Sequence, residues 1–217
     1  MTPFLLVLSS PSGGGKTTIA RSLLDGRDDL GYSVSATTRA RRPGERDGVD
    51  YHFLARDEFE RRVAAGEFLE WATYGGELYG TLRASIDALL ASGCSAVLDI
   101  EVQGARQVRA AMPDAVLVFV LPPSAATLVE RLERRGTEDR PRLLGRLQRA
   151  AEEVAAVDEY DYVVVNADLV SAVSAVAAIV EAECRRVSRH NHAARTARLR
   201  DEILLEAARL AGDQKAS

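Results

Sequence analysis

The sequence predicts an α/β fold in which helices flank a parallel β-sheet, and two observations lead to this prediction. Short apolar segments typical of buried strands alternate along the chain with segments of helical periodicity. The alternation is broken once, at residues 32–81, where we expect an irregular insert. Residues 94–100 and 115–122 are apolar enough to form central strands that are covered on both faces.

The other elements can be justified in order along the chain. Residues 4–8, FLLVL, predict a buried strand, and residues 16–25 predict a helix with Ile19, Leu23 and Leu24 on one face. The insert is expected to hold a strand, a basic turn-rich segment, a helix ended by glycine and a hairpin, at residues 32–38, 39–53, 56–66 and 67–80. Further helices are predicted at residues 82–93, 102–112, 124–136 and 140–157 and from about Asp168 onward, with a last strand at residues 160–166.

Composition and charge narrow the classes of function. The chain has 217 residues, of which 47% are hydrophobic, and a net charge of −4, which argues against general nucleic-acid binding. Its two cysteines, Cys94 and Cys184, fit neither a disulfide framework nor a metal-binding pattern. The chain begins with a core strand instead of a signal peptide, and no apolar run reaches the roughly 18 residues of a membrane helix, so a cytoplasmic location is expected.

A glycine-rich segment, SSPSGGGKTT at residues 9–18, joins the first predicted strand to the first predicted helix. It ends in Gly-Lys-Thr, as the phosphate-loop pattern G-x-x-x-x-G-K-[ST] requires, but it has Ser10 where that pattern has glycine. In such a loop the backbone N–H groups and the helix N-terminus surround a phosphate, Lys16 reaches the β/γ oxygens and the Thr17 hydroxyl faces Mg²⁺. The alternative is a turn that contains a lysine by chance.

Lysine usage favours the phosphate loop. Of the 28 basic residues only Lys16 and Lys215 are lysines. The chain otherwise uses arginine for its cations, yet it has lysine at the loop position where a compact ammonium group fits beside a crowded phosphate. If Ser10 had to adopt a positive φ, the cost would be about 1–2 kcal/mol. The three glycines that follow keep the closest approach to phosphate free of side chains, so this departure is tolerable.

Asp99 closes one of the predicted central strands. Ligands bind at the carboxyl ends of parallel strands in α/β sheets, so Asp99 is placed to help hold Mg²⁺ opposite the loop. An ordinary loop carboxylate is the alternative.

Six segments of the chain have to be considered together: SPSGGGKTT, SVSATTRARRPGERDGVDYHF, GEFLEWATYGGELYGT, LDIEVQG, LVERLERRGTED and DYVVVNADL. With these segments the chain resembles the guanylate kinase family over about residues 3–188. The resemblance implies a P-loop kinase core with a parallel sheet flanked by helices (residues 3–31, 82–135 and 143–188), an inserted monophosphate-binding lobe (32–81) and a short lid (about 136–142). Residues 189–217 are then a C-terminal helical extension.

The resemblance also implies roles for individual residues. ATP would be bound by Ser10, Pro11, Ser12, Gly13, Gly14, Gly15, Lys16, Thr17, Thr18 and Asn166, and Mg²⁺ by Thr17 and Asp99. GMP would be bound by Ser35, Arg39, Arg42, Tyr51, Glu70, Tyr79, Thr81, Asp99 and Glu101. The transferred group would be stabilised by Lys16, Arg39, Arg42, Arg131, Arg135 and Arg146. Glu101 stands where many members of the family have aspartate.

The activity that this resemblance implies is ATP-dependent phosphorylation of GMP, and of dGMP, with Mg²⁺ as cofactor and no nucleic-acid or membrane partner. Selection of guanine follows from its donors, because the Glu70 carboxylate can accept both N1–H and N2–H₂ while Thr81 donates to O6. Two alternatives stay open: a related P-loop kinase that acts on a sugar phosphate, and a non-catalytic guanylate-kinase-like module that binds proteins.

The C-terminal segment departs from the family's usual end. Residues 185–210 are expected to extend the last helix, with Leu199, Ile203, Ala207 and Leu210 on one stripe. This stripe either pairs with a second subunit or belongs to a frayed, solvated extension.

Overall fold

The computed structural model describes residues 2–134, 140–189 and 192–213, with the side chains of residues 142 and 208–213 outside the description. Arg135 and residues 136–139 of the expected lid therefore lie outside the described residues. The chain divides into two compact units, Pro3–Val180 and Glu181–Ser217 together with Met1–Thr2. Apart from the two corrections given below, the predicted strands and helices are present in the expected order among the described residues.

Nine strands and eight α-helices are assigned among the described residues. The strands are β1 (Leu5–Ser9), β2 (Leu30–Tyr32), β3 (Ala36–Thr37), β4 (His52–Phe53), β5 (Phe68–Tyr74), β6 (Glu77–Leu82), β7 (Ser95–Asp99), β8 (Val116–Leu121) and β9 (Tyr162–Val165). The helices are α1 (Lys16–Leu24), α2 (Arg56–Ala64), α3 (Arg83–Ala91), α4 (Val102–Ala111), α5 (Ala125–Arg134), α6 (Arg140–Val154), α7 (Leu169–Cys184) and α8 (Ala193–Asp213).

The main sheet has five parallel strands in the order β2-β7-β1-β8-β9. β1 lies at its centre and is buried along its whole length, as its unbroken apolar sequence predicts. Leu8 of β1 is in register with Asp99 of β7, so both strands end at the same edge of the sheet. Because the strand order reverses at β1, a crevice is expected there, at the carboxyl ends of the strands.

A second, smaller sheet is built by the insert, with the strand order β4-β3-β6-β5. β5 and β6 form the predicted hairpin around Gly75 and Gly76, both of which have positive φ. The sheet has its own small core, in which the rings of Phe59 and Phe68 stack with their centroids 4.3 Å apart. This core lets the insert present one face of the sheet toward the main sheet's carboxyl edge.

Two sequence predictions are corrected by the structure. The single strand expected at residues 32–38 is two short strands in different sheets, because Ser33 N–H donates to Val97 of the main sheet whereas Thr38 N–H donates to Leu78 of the second. The tail is not a continuation of the preceding helix. α7 ends at Cys184, a 3₁₀ turn follows at Val187–Arg189, and α8 begins at Ala193.

In the unit that contains the tail, a buried ion pair anchors the turn that follows α7. The Arg189 guanidinium donates to the Glu183 carboxylate at 3.1 Å, and both side chains are buried. On α8, Leu199 and Ile203 of the predicted stripe are more than half exposed. No helix among the described residues is long and apolar enough to cross a membrane.

Candidate active site

The segment after β1 forms a loop that turns into the N-terminus of α1, as the glycine-rich sequence predicts. Gly13 and Gly15 have positive φ values of 91° and 100°, which explains why glycine is needed at both positions. Gly14 N–H donates to the Pro11 carbonyl at 2.8 Å and closes the turn. Ser10 has no positive φ, so the strain considered for it does not arise; its buried hydroxyl donates to the Pro11 carbonyl.

The back of this loop is held by side chains from distant elements. The Asn166 amide, which follows β9, donates to the Gly14 carbonyl at 2.8 Å and is buried. Arg131 of α5 donates to the same carbonyl at 3.4 Å and to the Asn166 carbonyl at 3.0 Å. A Cβ on Gly15 would lie 2.4 Å from the Asn166 amide nitrogen, so this glycine is required by close packing as well as by its φ.

Lys16, the first residue of α1, forms an ion pair with Glu101. Its Nζ lies 2.7 Å from Glu101 Oε1, and little of the lysine side chain is exposed. Burial alone would lower the pKa of Lys16, but its ion pair and hydrogen bond with Glu101, together with the charges of Asp99 and Glu153, raise that pKa above its ordinary value. The lysine is therefore protonated and is already paired with an anion of the chain.

Thr17 and Asp99 meet at the edge of the sheet where the sequence predicts Mg²⁺. The Thr17 hydroxyl donates to Asp99 Oδ2, and the Tyr32 hydroxyl donates to Asp99 Oδ1 at 2.5 Å. Burial, followed by the charge of Asp99, raises the pKa of Tyr32. A hydroxyl and a carboxylate beside a phosphate site are oxygen donors that fit Mg²⁺, which binds through few protein ligands together with substrate phosphates and water. No group of three or more His, Cys, Asp or Glu residues suited to a metal occurs among the described residues.

Two side chains of helix α6 contact the phosphate loop. The Arg146 guanidinium donates to Ser12 Oγ at 2.8 Å, and Glu153 Oε2 accepts Ser12 N–H at 3.2 Å. Farther along the cleft, the Arg149 guanidinium lies 5.4 Å from the centre of the Tyr74 ring of the hairpin. The helix thus contacts both the phosphate loop and the second sheet.

The second sheet contributes a basic and aromatic cluster. The Arg39 guanidinium donates to both oxygens of Glu45, at 2.8 and 3.1 Å, and lies 5.4 Å from the centre of the Tyr51 ring. The hydrogen bond and the charge of Glu45 raise the pKa of Arg39 despite partial burial. Tyr51 meets Tyr79 edge to face, with centroids 6.0 Å apart. Glu45 also accepts the backbone N–H of Arg42 at 2.8 Å.

Glu70 is a buried carboxylate at the start of the hairpin. Its Oε1 accepts the Thr81 hydroxyl at 2.7 Å, and burial raises its pKa to about 7 although hydrogen bonds from Thr81 act in the opposite direction. Its Oε2 approaches α4 so closely that a Cβ on Gly104 would lie 2.5 Å away. Gln107 of α4 fixes the hairpin by bonding both backbone groups of Trp71.

One cleft of about 380 Å³ joins these groups. The sequence-predicted residues that line it are Ser12, Gly13, Lys16, Thr17, Ser35, Arg39, Arg42, Tyr51, Glu70, Tyr79, Asp99, Glu101 and Arg146. Thr81, Arg131 and Asn166 do not line it: Thr81 bonds Glu70 at its wall, whereas Arg131 and Asn166 bond Gly14. Ser10, Pro11, Gly14 and Gly15 belong to the loop's own frame, and Thr18 is exposed.

Among the residues of the site that sequence reasoning missed, four bond predicted site residues or make room for them. Tyr32 bonds Asp99, Glu45 bonds Arg39, Glu153 bonds Ser12, and Gly104 makes room for Glu70. Gly104 lies within the quoted segment LDIEVQG, so its place beside two candidate carboxylates was a usable signal. The other three carry no local pattern that distinguishes them from solvated tyrosines and glutamates.

Comparisons with known proteins agree with this arrangement. A family model described as "Guanylate kinase" matches residues 3–183. A guanylate kinase of Rubrobacter xylanophilus is 55% identical over 164 residues (76% of this chain, 86% of the relative), and one of Symbiobacterium thermophilum is 49% identical over 189 residues (87% and 90%). The crystal structure of guanylate kinase from Anaplasma phagocytophilum superposes with a TM-score of 0.72 at 36% identity, covering 87% of this chain and 89% of that one. The chain therefore belongs to the guanylate kinase family.

Proposed function

We propose that this chain transfers the γ-phosphoryl group of ATP to GMP, and to dGMP, releasing ADP and the nucleoside diphosphate. The supporting observation is a single cleft lined on one side by the phosphate loop and on the other by arginines, tyrosines and the buried Glu70. An enzyme that only hydrolyses ATP would not need these arginines, tyrosines and the buried Glu70, because it binds no second phosphorylated substrate. The curated relatives carry the name of this activity.

ATP binds at the loop. Its phosphates accept hydrogen bonds from the loop's backbone N–H groups and the N-terminus of α1. Lys16 exchanges its ion pair with Glu101 for contacts with the β- and γ-phosphate oxygens of ATP. Arg146 exchanges its hydrogen bond with Ser12 for contacts with the phosphoryl group that is transferred. Arg131 acts through the loop backbone that it already bonds. Arg135, expected to act beside them, lies outside the described residues.

Mg²⁺, held through Thr17 and Asp99, neutralises part of the charge on the ATP phosphates when it is bound. The geometry of these two residues fits this role, because their oxygens are already in contact and face the cleft.

The acceptor phosphate of GMP binds at the second sheet. Arg39 and Arg42 offer planar guanidinium groups for bidentate contacts, and the Tyr51 and Tyr79 hydroxyls, with Ser35, bind the remaining oxygens. Since Glu45 accepts hydrogen bonds from Arg39, the phosphate takes over at least one of the Arg39 N–H groups.

The guanine base is recognised by Glu70. Its carboxylate accepts guanine N1–H and N2–H₂, while the Thr81 hydroxyl exchanges Glu70 for guanine O6. AMP presents an acceptor at N1 and leaves a buried carboxylate unpaired, which costs orders of magnitude in selectivity. Asp99 and Glu101, at the carboxyl end of β7, lie between the two substrates.

The reaction needs no general base. A phosphate monoester has its second pKa near 6 and is largely dianionic at neutral pH, so the nucleophile is ready. The obstacle is repulsion between two anions, and Lys16 with the arginines offsets it through position and charge.

A coupled assay with ATP and each of GMP, AMP, UMP, CMP and a sugar phosphate tests the proposal. Turnover with GMP at least a hundredfold above the others is the expected result. ATP turnover with a sugar phosphate and none with GMP would support the related sugar-phosphate kinase. Absence of any turnover would support a protein-binding module.

Homo-oligomer formation through α8 stays a prediction, supported by the exposure of Leu199, Ile203 and Leu204 on that helix. Light scattering on the full chain and on a chain ending at residue 189 tests it, because a dimer formed through α8 becomes a monomer on truncation. The cytoplasmic location and the absence of nucleic-acid and membrane partners likewise stay predictions.

A further inference from the structure

Glu153 is a partly buried carboxylate at the phosphate loop that none of the steps above uses. It stands seven residues after Arg146 on α6, so both side chains project from one face of the helix. Both reach the same residue: Arg146 bonds Ser12 Oγ at 2.8 Å, and Glu153 Oε2 accepts Ser12 N–H at 3.2 Å.

The bonded N–H belongs to the peptide unit between Pro11 and Ser12. The carbonyl of that same unit accepts Gly14 N–H at 2.8 Å and the Ser10 hydroxyl at 3.1 Å. A peptide unit is planar, so the orientation of its N–H fixes the orientation of its carbonyl. Glu153 therefore secures one edge of a rigid plane whose other edge closes the turn of the loop.

The carboxylate is kept in this place against an electrostatic cost. Burial, and then the neighbouring charge of Glu101, raises the pKa of Glu153 to about 7. The neighbouring Glu152 on the same helix is exposed to solvent. Of these two adjacent glutamates, only Glu153 is directed at the loop.

We propose that Glu153 is a positioning residue for ATP, which holds the Pro11–Ser12 peptide plane and so keeps the phosphate loop in its binding shape before ATP arrives. The proposal rests on the proposed role of this loop in binding ATP. Pre-organisation of this kind strengthens binding, because the loop does not have to be ordered when the ligand binds. It leaves the chemical step unchanged once ATP is in place.

The test compares Glu153→Ala, Glu153→Gln and the control Glu152→Ala. We expect Glu153→Ala to weaken ATP binding about tenfold in calorimetry, as loss of a charge-assisted hydrogen bond predicts. Its kcat and its KM for GMP should stay within about threefold of wild type. The glutamine variant should bind ATP within about threefold of wild type, because its amide oxygen accepts the same N–H. Glu152→Ala should match wild type throughout.

A readout without nucleotide separates this inference from the proposed function. Hydrogen–deuterium exchange of the peptide containing residues 9–18 should be faster in Glu153→Ala than in wild type, Glu153→Gln or Glu152→Ala. If alanine lowers the melting temperature, Glu153→Met, which keeps the side-chain length without an acceptor oxygen, should give the same pattern.

Three results would overturn the inference: wild-type exchange in the variants without an acceptor, equal or tighter ATP binding by them, or a glutamine variant as weak as alanine. Tighter binding in particular would mean that Glu153 acts as a competing anion. A wild-type protein that binds no ATP but still shows the exchange pattern would refute the proposed function and leave the loop-positioning role standing.

Discussion

Replacing Glu70 with glutamine is expected to raise the KM for GMP at least tenfold while ATP binding changes little. The side chain is buried, and glutamine keeps its size and the acceptor oxygen that bonds Thr81. The other oxygen becomes an NH₂ group that faces a guanine donor, so one hydrogen bond is replaced by a donor–donor conflict.

The size of the effect follows from the burial of the site. A hydrogen bond to a charged group contributes about 1.5–3 kcal/mol, and an unpaired buried donor adds a penalty of similar size. At about 1.4 kcal/mol for each factor of ten, loss of the first contribution alone raises KM by about 10- to 100-fold. Glu67, which is exposed just before the hairpin, offers the matched control Glu67→Gln, for which a wild-type KM is expected.

The pH dependence provides a second measurement. Burial raises the pKa of Glu70 to about 7, and only the ionised carboxylate accepts both guanine donors. Between pH 6 and pH 8 the ionised fraction rises about tenfold, so kcat/KM for GMP should rise by about that factor on account of Glu70. The glutamine variant should lack this rise. The second ionisation of GMP, near pH 6, affects both proteins equally and cancels in the ratio of their profiles.

Stability should change in the opposite direction from activity. A carboxyl whose pKa is higher in the folded protein stabilises that state fully below its ordinary pKa of 4.5, and the contribution is lost as the pH rises through about 7. At pH 8 the ionised Glu70 therefore lowers the free energy of unfolding by up to about 3 kcal/mol relative to a neutral group. Glu70→Gln should melt above wild type at pH 8 and close to it near pH 4.5. A wild-type KM for GMP together with an unchanged pH profile would place the guanine pocket elsewhere.

Three further substitutions test other parts of the site. Lys16→Arg should leave the melting temperature unchanged but retain less than about a tenth of wild-type turnover, since a guanidinium is too broad for the loop. Ser10→Gly should bind ATP within tenfold of wild type by calorimetry, because glycine permits the backbone that Ser10 adopts; a larger loss would assign its hydroxyl a role in the loop. Gly104→Ala should raise the KM for GMP severalfold by displacing Glu70, whereas Gly145→Ala, in open space on a helix, should leave it unchanged.

The phosphate loop was predictable because its function is local. Strand, glycines, lysine and helix follow one another within residues 4–25, so order and spacing alone specify the geometry. Gly13 and Gly15 have the positive φ values that such a turn requires, and Thr17 meets Asp99 because β1 and β7 are adjacent central strands. The sequence also predicted the hairpin, whose glycine pair and alternating pattern lie within 14 residues, 67–80.

Contacts between distant segments were not predictable in the same way. Glu153 bonds Ser12 across 141 positions, and Tyr32 bonds Asp99 across 67. Nothing in the helical pattern of α6 distinguishes Glu153 from Glu152, since only the packing of the helix decides which of them faces the loop. The division of residues 32–38 between two sheets was missed for a related reason: both halves are extended, and their partners, Val97 and Leu78, lie far away in sequence.

Two ion pairs within the cleft bear on turnover. Two of the donors expected to receive phosphate are bonded by carboxylates of the chain itself: Lys16 by Glu101 and Arg39 by Glu45. Each incoming phosphate therefore exchanges one charge-assisted bond for another instead of pairing an isolated cation. Such an exchange keeps the donors in place while limiting the net free energy of binding. We expect the carboxylates to return to their partners on product release, so that neither cation is left unpaired in a partly buried site, where that would be costly. On this hypothesis the internal ion pairs hold the donors in position between turnovers and assist departure of the diphosphates.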